Sequence, residues 1–276
     1  MHSRLSLALL FLPALAGAAD PPLPPVTAAA AGKVKEVIGH QGSCADRPGN
    51  TLAGVRRAIE AGAHVTEVDV RTTKDGALVC LHDAEVDRTT DSKGKVADLA
   101  LAEVMKLDAG IKFDAKFAGE RVPTLREVLA IAKGKIAVMI DLKEDGEEYV
   151  ERIAAAVRDH GEPKRVVLGV RSVEHAKRFR KLLPDARQIG LVPTVDDIEP
   201  FAKAGVTVIR LWPKWLSDQK LVPRVRKLGL ELHLGTGTGT RAEVLPLLAH
   251  EPESLSSDDP AQLVKTLADI GGPKKK

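Results

Sequence analysis

The sequence predicts an α/β protein, a (β/α)₈ TIM barrel with an insertion after the second strand. Eight short β-type runs alternate with helical patterns along the chain, which is typical of this barrel. The runs are continuous rather than alternating, as expected for parallel strands that are covered on both faces, although the last of the eight is weak. A doubly wound open sheet is the runner-up, and it is disfavoured because no glycine-rich phosphate turn follows the first strand.

The predicted strands and helices follow one another from residue 37 onward. The strands are Val37–His40, Val65–Val70, Ile136–Leu142, Val166–Val170, Gln188–Val192, Val206–Leu211, Leu230–Leu234 and Ser254–Ser257. Apolar residues at steps of three and four predict the helices between them. These are Thr51–Ala61, Thr124–Lys133, Glu147–His160, Val173–Leu183, Val195–Ala204, Ser217–Leu228, Arg241–His250 and Gln262–Ile270. Asn50 is the predicted N-cap of the first helix.

The insertion is predicted from the long interval between the second and third strands. Lys74-Asp75-Gly76 is a turn signal, and the apolar run Leu78–Leu81 follows it. The simplest geometry is a strand that passes the barrel rim, turns and comes back. This hairpin would bring His82 to the height of Asp69. The insertion itself, about residues 84–122, would then lie on the face where barrel loops carry chemistry.

The N-terminal segment has the pattern of a signal peptide, predicted over residues 1–18. Arg4 precedes the apolar run Leu5–Ala16, which is too short to span a bilayer, and Ala16-Gly17-Ala18 fits a cleavage site. The alternative is a buried or interfacial helix of a cytosolic protein. A Pro/Ala-rich tether is predicted over 19–33, the barrel domain over 34–271 and a basic tail over 272–276. We therefore expect a secreted or periplasmic protein.

Composition excludes several classes of function. The 41 Lys and Arg residues nearly balance 38 Asp and Glu, and three of the positive charges are the final lysines. A near-neutral body argues against nucleic-acid binding through phosphate contacts. No later stretch reaches 18 apolar residues, so no stable membrane insertion is expected. Cys44 and Cys80 could form a disulfide or remain two free thiols.

Polar residues collect at the predicted carboxyl ends of the first strands, where active sites of this barrel lie. The first strand ends in His40 and Gln41. Glu67 and Asp69 are two residues apart and so lie on one side of the second strand. The full set of candidates at this rim is His40, Gln41, Glu67, Asp69, His82, Asp141 and Lys143.

This set of residue types indicates metal-assisted chemistry on an anion. Three carboxylates around one point repel each other unless a cation lies between them, and oxygen ligands suit Mg²⁺ or Ca²⁺. Two histidines beside such a metal suggest general acid–base catalysis, and a phosphodiester fits best as substrate. The structural alternatives are strand-end salt bridges for Glu67 and Asp69, and hydrogen-bonded core residues for His64 and His233.

A combination of short motifs covers residues 37–145. It comprises His40-Gln41-Gly42, Pro48-Gly49-Asn50-Thr51-Leu52, Glu67-Val68-Asp69-Val70, Thr73-Lys74-Asp75-Gly76, His82-Asp83, Asp87-Arg88-Thr89-Thr90, Leu107-Asp108-Ala109-Gly110, the stretch 117–125 and Asp141-Leu142-Lys143. This combination resembles the glycerophosphodiester phosphodiesterase family. The C-terminal half is only loosely similar, with Ser257-Asp258-Asp259-Pro260 in the place of the family's Thr-Asp-x-Pro.

The resemblance implies a TIM barrel whose insertion follows the second strand, and a phosphoric diester hydrolase of lipid metabolism. It implies a divalent cation, Mg²⁺ or Ca²⁺, bound by Glu67, Asp69 and Asp141. It implies His40 and His82 as the acid–base pair, with Gln41 and Lys143 near the substrate phosphate. The small-molecule substrate would be a glycerophosphodiester, cleaved to glycerol 3-phosphate and an alcohol.

The chain departs from the family's pattern at three of these positions. Gln41 stands where the family has Arg, Gly49 where it has Glu, and Asp141 where it has Glu. Gln brings neither the charge nor the bidentate fork of Arg to a phosphate. Arg171 and Arg210, at the ends of later strands, could supply the missing cation or could form surface ion pairs.

Two other functions are compatible with the same motifs. A related barrel phospholipase acting on lipid phosphodiesters would need an exposed apolar rim, for which Leu211–Leu216 is the candidate, although this segment could instead pack under a loop. A weakly active phosphodiester-binding protein would retain the metal ligands without efficient turnover. Retention of both histidines and all three carboxylates favours an enzyme.

Overall fold

The computed structural model describes residues 28–271 of the 276-residue chain. Nine strands and ten α-helices lie in this part of the chain. The strands are β1 (Glu36–Gly39), β2 (Val65–Thr72), β3 (Leu78–Cys80), β4 (Ala137–Leu142), β5 (Val166–Val170), β6 (Arg187–Gly190), β7 (Val208–Arg210), β8 (Glu231–Gly235) and β9 (Ser254–Ser257). The helices are α1 (Ala28–Lys33), α2 (Leu52–Glu60), α3 (Leu101–Val104), α4 (Leu125–Ala132), α5 (Glu147–His160), α6 (Val173–Leu182), α7 (Ile198–Lys203), α8 (Leu221–Lys227), α9 (Arg241–Leu248) and α10 (Pro260–Gly271).

Eight of the strands form a closed parallel barrel. The sheet order is β1-β9-β8-β7-β6-β5-β4-β2-β3, and β1 also pairs with β2. This last pairing closes the sheet, which excludes the doubly wound alternative. The predicted (β/α)₈ barrel is confirmed, and the carboxyl ends of all eight parallel strands meet at one rim.

Successive side chains along each strand point alternately into the barrel and toward the surrounding helices, so the core has two layers. Val65, Glu67 and Asp69 face the barrel interior, whereas Val68 and Val70 face the surrounding helices. Apolar side chains fill the lower part of the interior, so the charged residues lie above a closed apolar floor. This floor consists of Ile38, Val65, Met139, Val167, Ile189, Leu191 and Val208.

The predicted hairpin after the second strand is confirmed. β3 runs antiparallel to β2 with Val70 opposite Cys80, and the backbone N–H of Leu81 donates to the Asp69 carbonyl at 3.0 Å. His82 therefore returns to the height of Asp69. The following insertion has a small core of its own around Val86 and leaves Phe113 41% exposed.

The N-terminus of α2 differs from the sequence prediction. Thr51 is the N-cap, because its hydroxyl accepts a hydrogen bond from the Gly54 backbone N–H at 3.2 Å. Asn50 was the predicted cap, and this prediction is wrong. Its backbone lies in the left-handed region with φ 60°. That conformation turns its side chain toward the barrel rim instead.

The folded domain begins earlier than predicted. Residues 28–33, the last part of the predicted tether, form α1, and Ala30 and Ala31 are buried beside α10. An alanine-rich stretch has high helix propensity, and burial of its methyl groups stabilises the helix. The predicted signal peptide over 1–18 and the basic tail over 272–276 lie outside the described residues.

Two smaller predictions concern the cysteines and membrane spans. Cys44 and Cys80 are both free, so the disulfide alternative is not formed. Within residues 28–271 we found no helix whose length and hydropathy would suit a bilayer span.

Candidate active site

Six of the seven sequence-predicted site residues converge on one cavity at the carboxyl ends of the strands. Its volume is about 260 Å³. The lining residues are Ile38, His40, Glu67, Asp69, His82, Met139, Asp141, Lys143, Arg171, Arg210, Trp212, His233 and Ser256. Gln41 lines a neighbouring cavity of about 240 Å³, which shares His82 with the first and borders the insertion at Phe113.

Three buried carboxylates form the centre of the site. Oxygen atoms of Glu67, Asp69 and Asp141 all lie within 4.8 Å of one another, and Asp69 is the register partner of Asp141. Burial, together with the nearby charge of Asp69, raises the pKa of Glu67 well above its usual range. Ionising all three groups at this spacing requires a cation, so the donor set fits a hard divalent metal ion.

Two cations partly neutralise these carboxylates. Lys143 Nζ lies 2.9 Å from Asp69 and 2.8 Å from Asp141. Arg171 donates to both oxygens of Asp141, at 2.9 and 2.7 Å. Burial alone would raise the pKa of Asp69, but the Lys143 ammonium and other polar partners hold it below its usual range. From the sequence, a surface ion pair remained open for Arg171. Arg171 does form an ion pair, but with Asp141 inside the site.

Gln41 and Asn50 hold the carboxylates in place. The Gln41 backbone N–H donates to Glu67 at 2.7 Å, and its side-chain amide donates to Asp69 at 2.9 Å. Asn50 brackets Asp69 with two hydrogen bonds, to the carboxylate at 2.7 Å and from the backbone N–H at 2.9 Å. Asn50 was missed as a site residue because its motif was interpreted only as a helix start.

Gly49 leaves space for the Gln41 side chain. A Cβ atom at position 49 would lie 2.6 Å from Gln41 Oε1, which is closer than real contacts allow. Any side chain at 49 would therefore displace the Gln41 carboxamide, the group that donates to Asp69. The two departures from the family's pattern are structurally linked.

His40 is oriented by Asp258. Its Nδ1 lies 2.7 Å from Asp258 Oδ1 and 3.7 Å from Cys44 Sγ. Burial alone would lower the pKa of His40, but the Asp258 carboxylate, Cys44 and Glu67 outweigh it and raise the pKa to about 11. Sequence reasoning missed Asp258, although it stands in the Ser257-Asp258-Asp259-Pro260 segment that the resemblance singled out.

His82 has a carboxylate partner of its own. Its Nδ1 lies 2.7 Å from Asp83 Oδ1, and Arg88 donates to the same carboxylate at 2.5 and 3.1 Å. The hydrogen bond from Arg88 lowers the pKa of Asp83 to about 2. Arg71 donates to the His82 carbonyl. Because each Nδ1 faces a carboxylate, the Nε2 atoms of both imidazoles remain available for a substrate.

His233 is a hydrogen-bonded core residue, as expected, whereas His64 is hydrogen-bonded but exposed. His64 Nδ1 accepts a hydrogen bond from the Val37 backbone N–H at 3.0 Å. His233 is buried against Ser254 at 2.9 Å, and burial together with the charge of Arg210 lowers its pKa to about 3. His233 is therefore neutral and takes a structural role.

Leu211–Leu216 does not form an exposed apolar rim. Leu211 is fully buried, and Trp215 and Leu216 pack against the core. The Trp212 ring lies under the Arg210 guanidinium, with 4.1 Å between ring centroid and Cζ. The apolar side chains of this segment pack against the core, so the sequence alternative of an exposed apolar rim is not formed.

Comparison with known protein families identifies a family that agrees with this geometry. The sequence model of the glycerophosphoryl diester phosphodiesterase family matches residues 40–236. The chain belongs to this family. A glycerophosphodiester phosphodiesterase from Caldanaerobacter subterraneus subsp. tengcongensis is 35% identical over 234 residues, which cover 83% of this chain and 96% of the relative. The chain is therefore a phosphoric diester hydrolase, as the sequence predicted.

Solved structures of family members share the barrel. A glycerophosphodiester phosphodiesterase from Agrobacterium tumefaciens str. C58 is 28% identical with a TM-score of 0.73, over 84% of this chain and 100% of that chain. An Oleispira antarctica phosphodiesterase, solved in complex with the product sn-glycerol-3-phosphate, has a TM-score of 0.78 at 22% identity, over 86% of this chain and 98% of that chain. At 22% identity, the similarity to the Oleispira antarctica structure shows that the two proteins share the fold.

Proposed function

We propose that this family member hydrolyses glycerophosphodiesters to glycerol 3-phosphate and an alcohol, with Mg²⁺ or Ca²⁺ held by Glu67, Asp69 and Asp141. The single observation that supports this most strongly is the arrangement of the cavity. Three clustered carboxylates share it with His40 and His82, and each of these imidazoles is oriented by a separate carboxylate.

The oxygen-only donor set suits a hard divalent cation better than a soft one. When bound, such a cation supplies charge neutralisation for the phosphoryl oxygens and organises the site. Lys143 and Arg171 neutralise part of the carboxylate charge from the other side. Gln41 and Asn50 keep Asp69 in a fixed orientation through their amide hydrogen bonds.

We assign opposite proton-transfer roles to the two histidines. His40 carries a raised pKa and therefore stays protonated, so it donates its proton to the oxygen of the departing alcohol. His82, held through Nδ1 by Asp83, accepts the proton of the attacking hydroxyl or water. When water attacks, its oxygen forms a bond to phosphorus and the bond to the alcohol oxygen breaks. His82 takes one proton from the water and His40 gives one to the alcohol, which leaves glycerol 3-phosphate and the free alcohol.

The substrate class is supported by the family and by the cavity size. The Oleispira antarctica enzyme is described with sn-glycerol-3-phosphate as its product. A cavity of about 260 Å³, with a neighbouring one of about 240 Å³ that is also lined by His82, suits a small headgroup diester rather than a folded macromolecule.

The test is release of glycerol 3-phosphate from glycerophosphocholine, with and without a chelator. We expect chelation to abolish activity and His40→Ala or His82→Ala to lower kcat by at least about 100-fold, the contribution of general acid–base catalysis. His160→Ala, on the outer helix α5, is the matched control and should keep wild-type activity. Faster hydrolysis of phospholipid vesicles than of glycerophosphocholine would instead establish the phospholipase alternative. Binding without turnover would establish the binding-protein alternative.

We also propose that the protein is exported. The Arg4-led apolar run and the Ala16-Gly17-Ala18 site support this proposal. Determining the N-terminal residue of the protein recovered outside the cytoplasm tests it, and a chain that starts at Met1 in the cytoplasm would contradict it.

A further inference from the structure

Arg210 differs from the other cations of the active-site cavity. Lys143 and Arg171 both contact carboxylates. Across residues 28–271, no ion pair or side-chain hydrogen bond is found for Arg210, and its Nε is buried without a partner. Burial also lowers its pKa. An unpaired, partly desolvated guanidinium is costly, so this residue is suited to an anion that the cavity receives.

The position of Arg210 is fixed by its packing. It ends β7, and its guanidinium stacks on the Trp212 ring with 4.1 Å between Cζ and the ring centroid. A Cβ atom at Gly235 would lie 3.2 Å from Arg210 Nη2, so the small residue there leaves the guanidinium its space. Stacking uses the face of the group and leaves its N–H edge free for planar, bidentate hydrogen bonds.

The charge of the cavity also favours an anion. Three carboxylates face the three cations Lys143, Arg171 and Arg210, and His40 is paired with the Asp258 carboxylate, so that pair adds no net charge. A divalent cation between the carboxylates makes the cavity positive by more than one charge. A phosphodiester carries one negative charge, and the fork of an arginine matches phosphate oxygens. Gln41, in contrast, is neutral and its carboxamide already donates to Asp69.

We propose that Arg210, held against Trp212, is the phosphate-binding arginine of this enzyme. It would bind the phosphodiester of the substrate and the phosphate of the product through its free N–H edge. This inference rests on the proposed function for its choice of anion. The competing explanation is that Arg210 only balances the charge of Glu67 and Asp141, which attract it at longer range.

A binding experiment separates these explanations without requiring turnover. Glycerol 3-phosphate and, separately, inorganic phosphate are titrated into Mg²⁺-saturated protein by calorimetry, and the fluorescence of Trp212 and Trp215 is followed in parallel. We expect Arg210→Gln to raise Kd by about 10- to 150-fold, the range for one lost hydrogen bond to a charged group. Arg210→Lys keeps the charge without the fork and should bind with intermediate affinity. Trp215→Phe should retain the fluorescence response.

The matched control is Arg224→Gln, which alters a half-buried arginine of α8 that lies 3.7 Å from Glu199 and outside the active-site cavity, and it should leave Kd unchanged. Melting temperatures of all variants verify folding. Wild-type affinity in Arg210→Gln would overturn the proposal. The proposal would also be overturned if Arg210→Gln changed only the Mg²⁺ concentration needed for half-maximal activity, since that outcome would identify Arg210 as a counter-ion of the carboxylates. If the wild-type protein binds phosphate in a way that depends on Arg210 but hydrolyses no glycerophosphodiester, the proposed function is refuted and the role of Arg210 is not.

Discussion

Replacing Asp258 by Asn tests the role of His40 as general acid. The substitution keeps the shape of the side chain and removes its negative charge from a 2.7 Å contact with Nδ1. A hydrogen bond between charged groups contributes about 1.5–3 kcal/mol, so we expect kcat to fall by about 10- to 150-fold. Cys44 and the backbone around β9 are unchanged, so the fold should be retained.

The pH dependence gives a sharper test than the rate alone. A general acid must be protonated, so activity is lost as the pH rises through its pKa. The wild-type enzyme should keep this limb at strongly alkaline pH, since the pKa of His40 is raised to about 11. Without the Asp258 carboxylate, burial lowers that pKa, and the alkaline limb of kcat should move to lower pH. The loss of activity should therefore be larger at pH 9 than at pH 6.

The matched control is Asp83→Asn, which makes the same change beside His82. It should lower activity without moving the alkaline limb. Coinciding alkaline limbs for Asp258→Asn and the wild-type enzyme would refute the assignment of His40, even if kcat fell.

Three further predictions concern the carboxylates, the Gln41–Gly49 pair and the core. In chelator, the wild-type protein should lose stability as the pH rises from about 4.5 through about 8, because Glu67 has a raised pKa in the folded state and its contribution to stability is lost as it ionises. Glu67→Gln has no such group, so its Tm should rise relative to that of wild type over this range. Parallel Tm curves would contradict this prediction. Gln41→Arg with Gly49→Glu should change kcat/KM less than about 10-fold, since Arg210 already offers an unpaired cation in the cavity. A steep gain in kcat/KM would show that the native site lacks positive charge. Leu168→Ala, at a fully buried strand position, should lower the free energy of unfolding by about 2–5 kcal/mol with KM unchanged; a denaturation midpoint equal to that of wild type would rule this out.

Local sequence patterns predicted most of the barrel. Short β-type runs placed all eight barrel strands, of which Ser254–Ser257 was the weakest, and the spacing of Glu67 and Asp69 placed both carboxylates inside the barrel. The turn at Asp75-Gly76 was enough to predict the return of His82. These signals are local, because strand periodicity and turn chemistry involve neighbours in the chain.

The contacts that were missed join residues that are distant in the chain. His40 and Asp258 are 218 positions apart and meet because β9 lies beside β1. Arg171 and Asp141 are 30 positions apart on adjacent strands, and nothing in either local pattern indicates their pairing. Asn50 was misassigned because a residue before a helix is more often a cap, whereas here its left-handed backbone turns the side chain to Asp69.

The central claim is that carboxylate-bound metal and paired histidines hydrolyse glycerophosphodiesters. Its most direct measurement is glycerol 3-phosphate release from glycerophosphocholine by chelator-treated enzyme, before and after addition of Mg²⁺ or Ca²⁺, with Asp141→Asn alongside. We expect no release before the metal is added, full recovery of the wild-type rate after it, and no recovery in the variant. An equal rate before and after metal addition would contradict the claim.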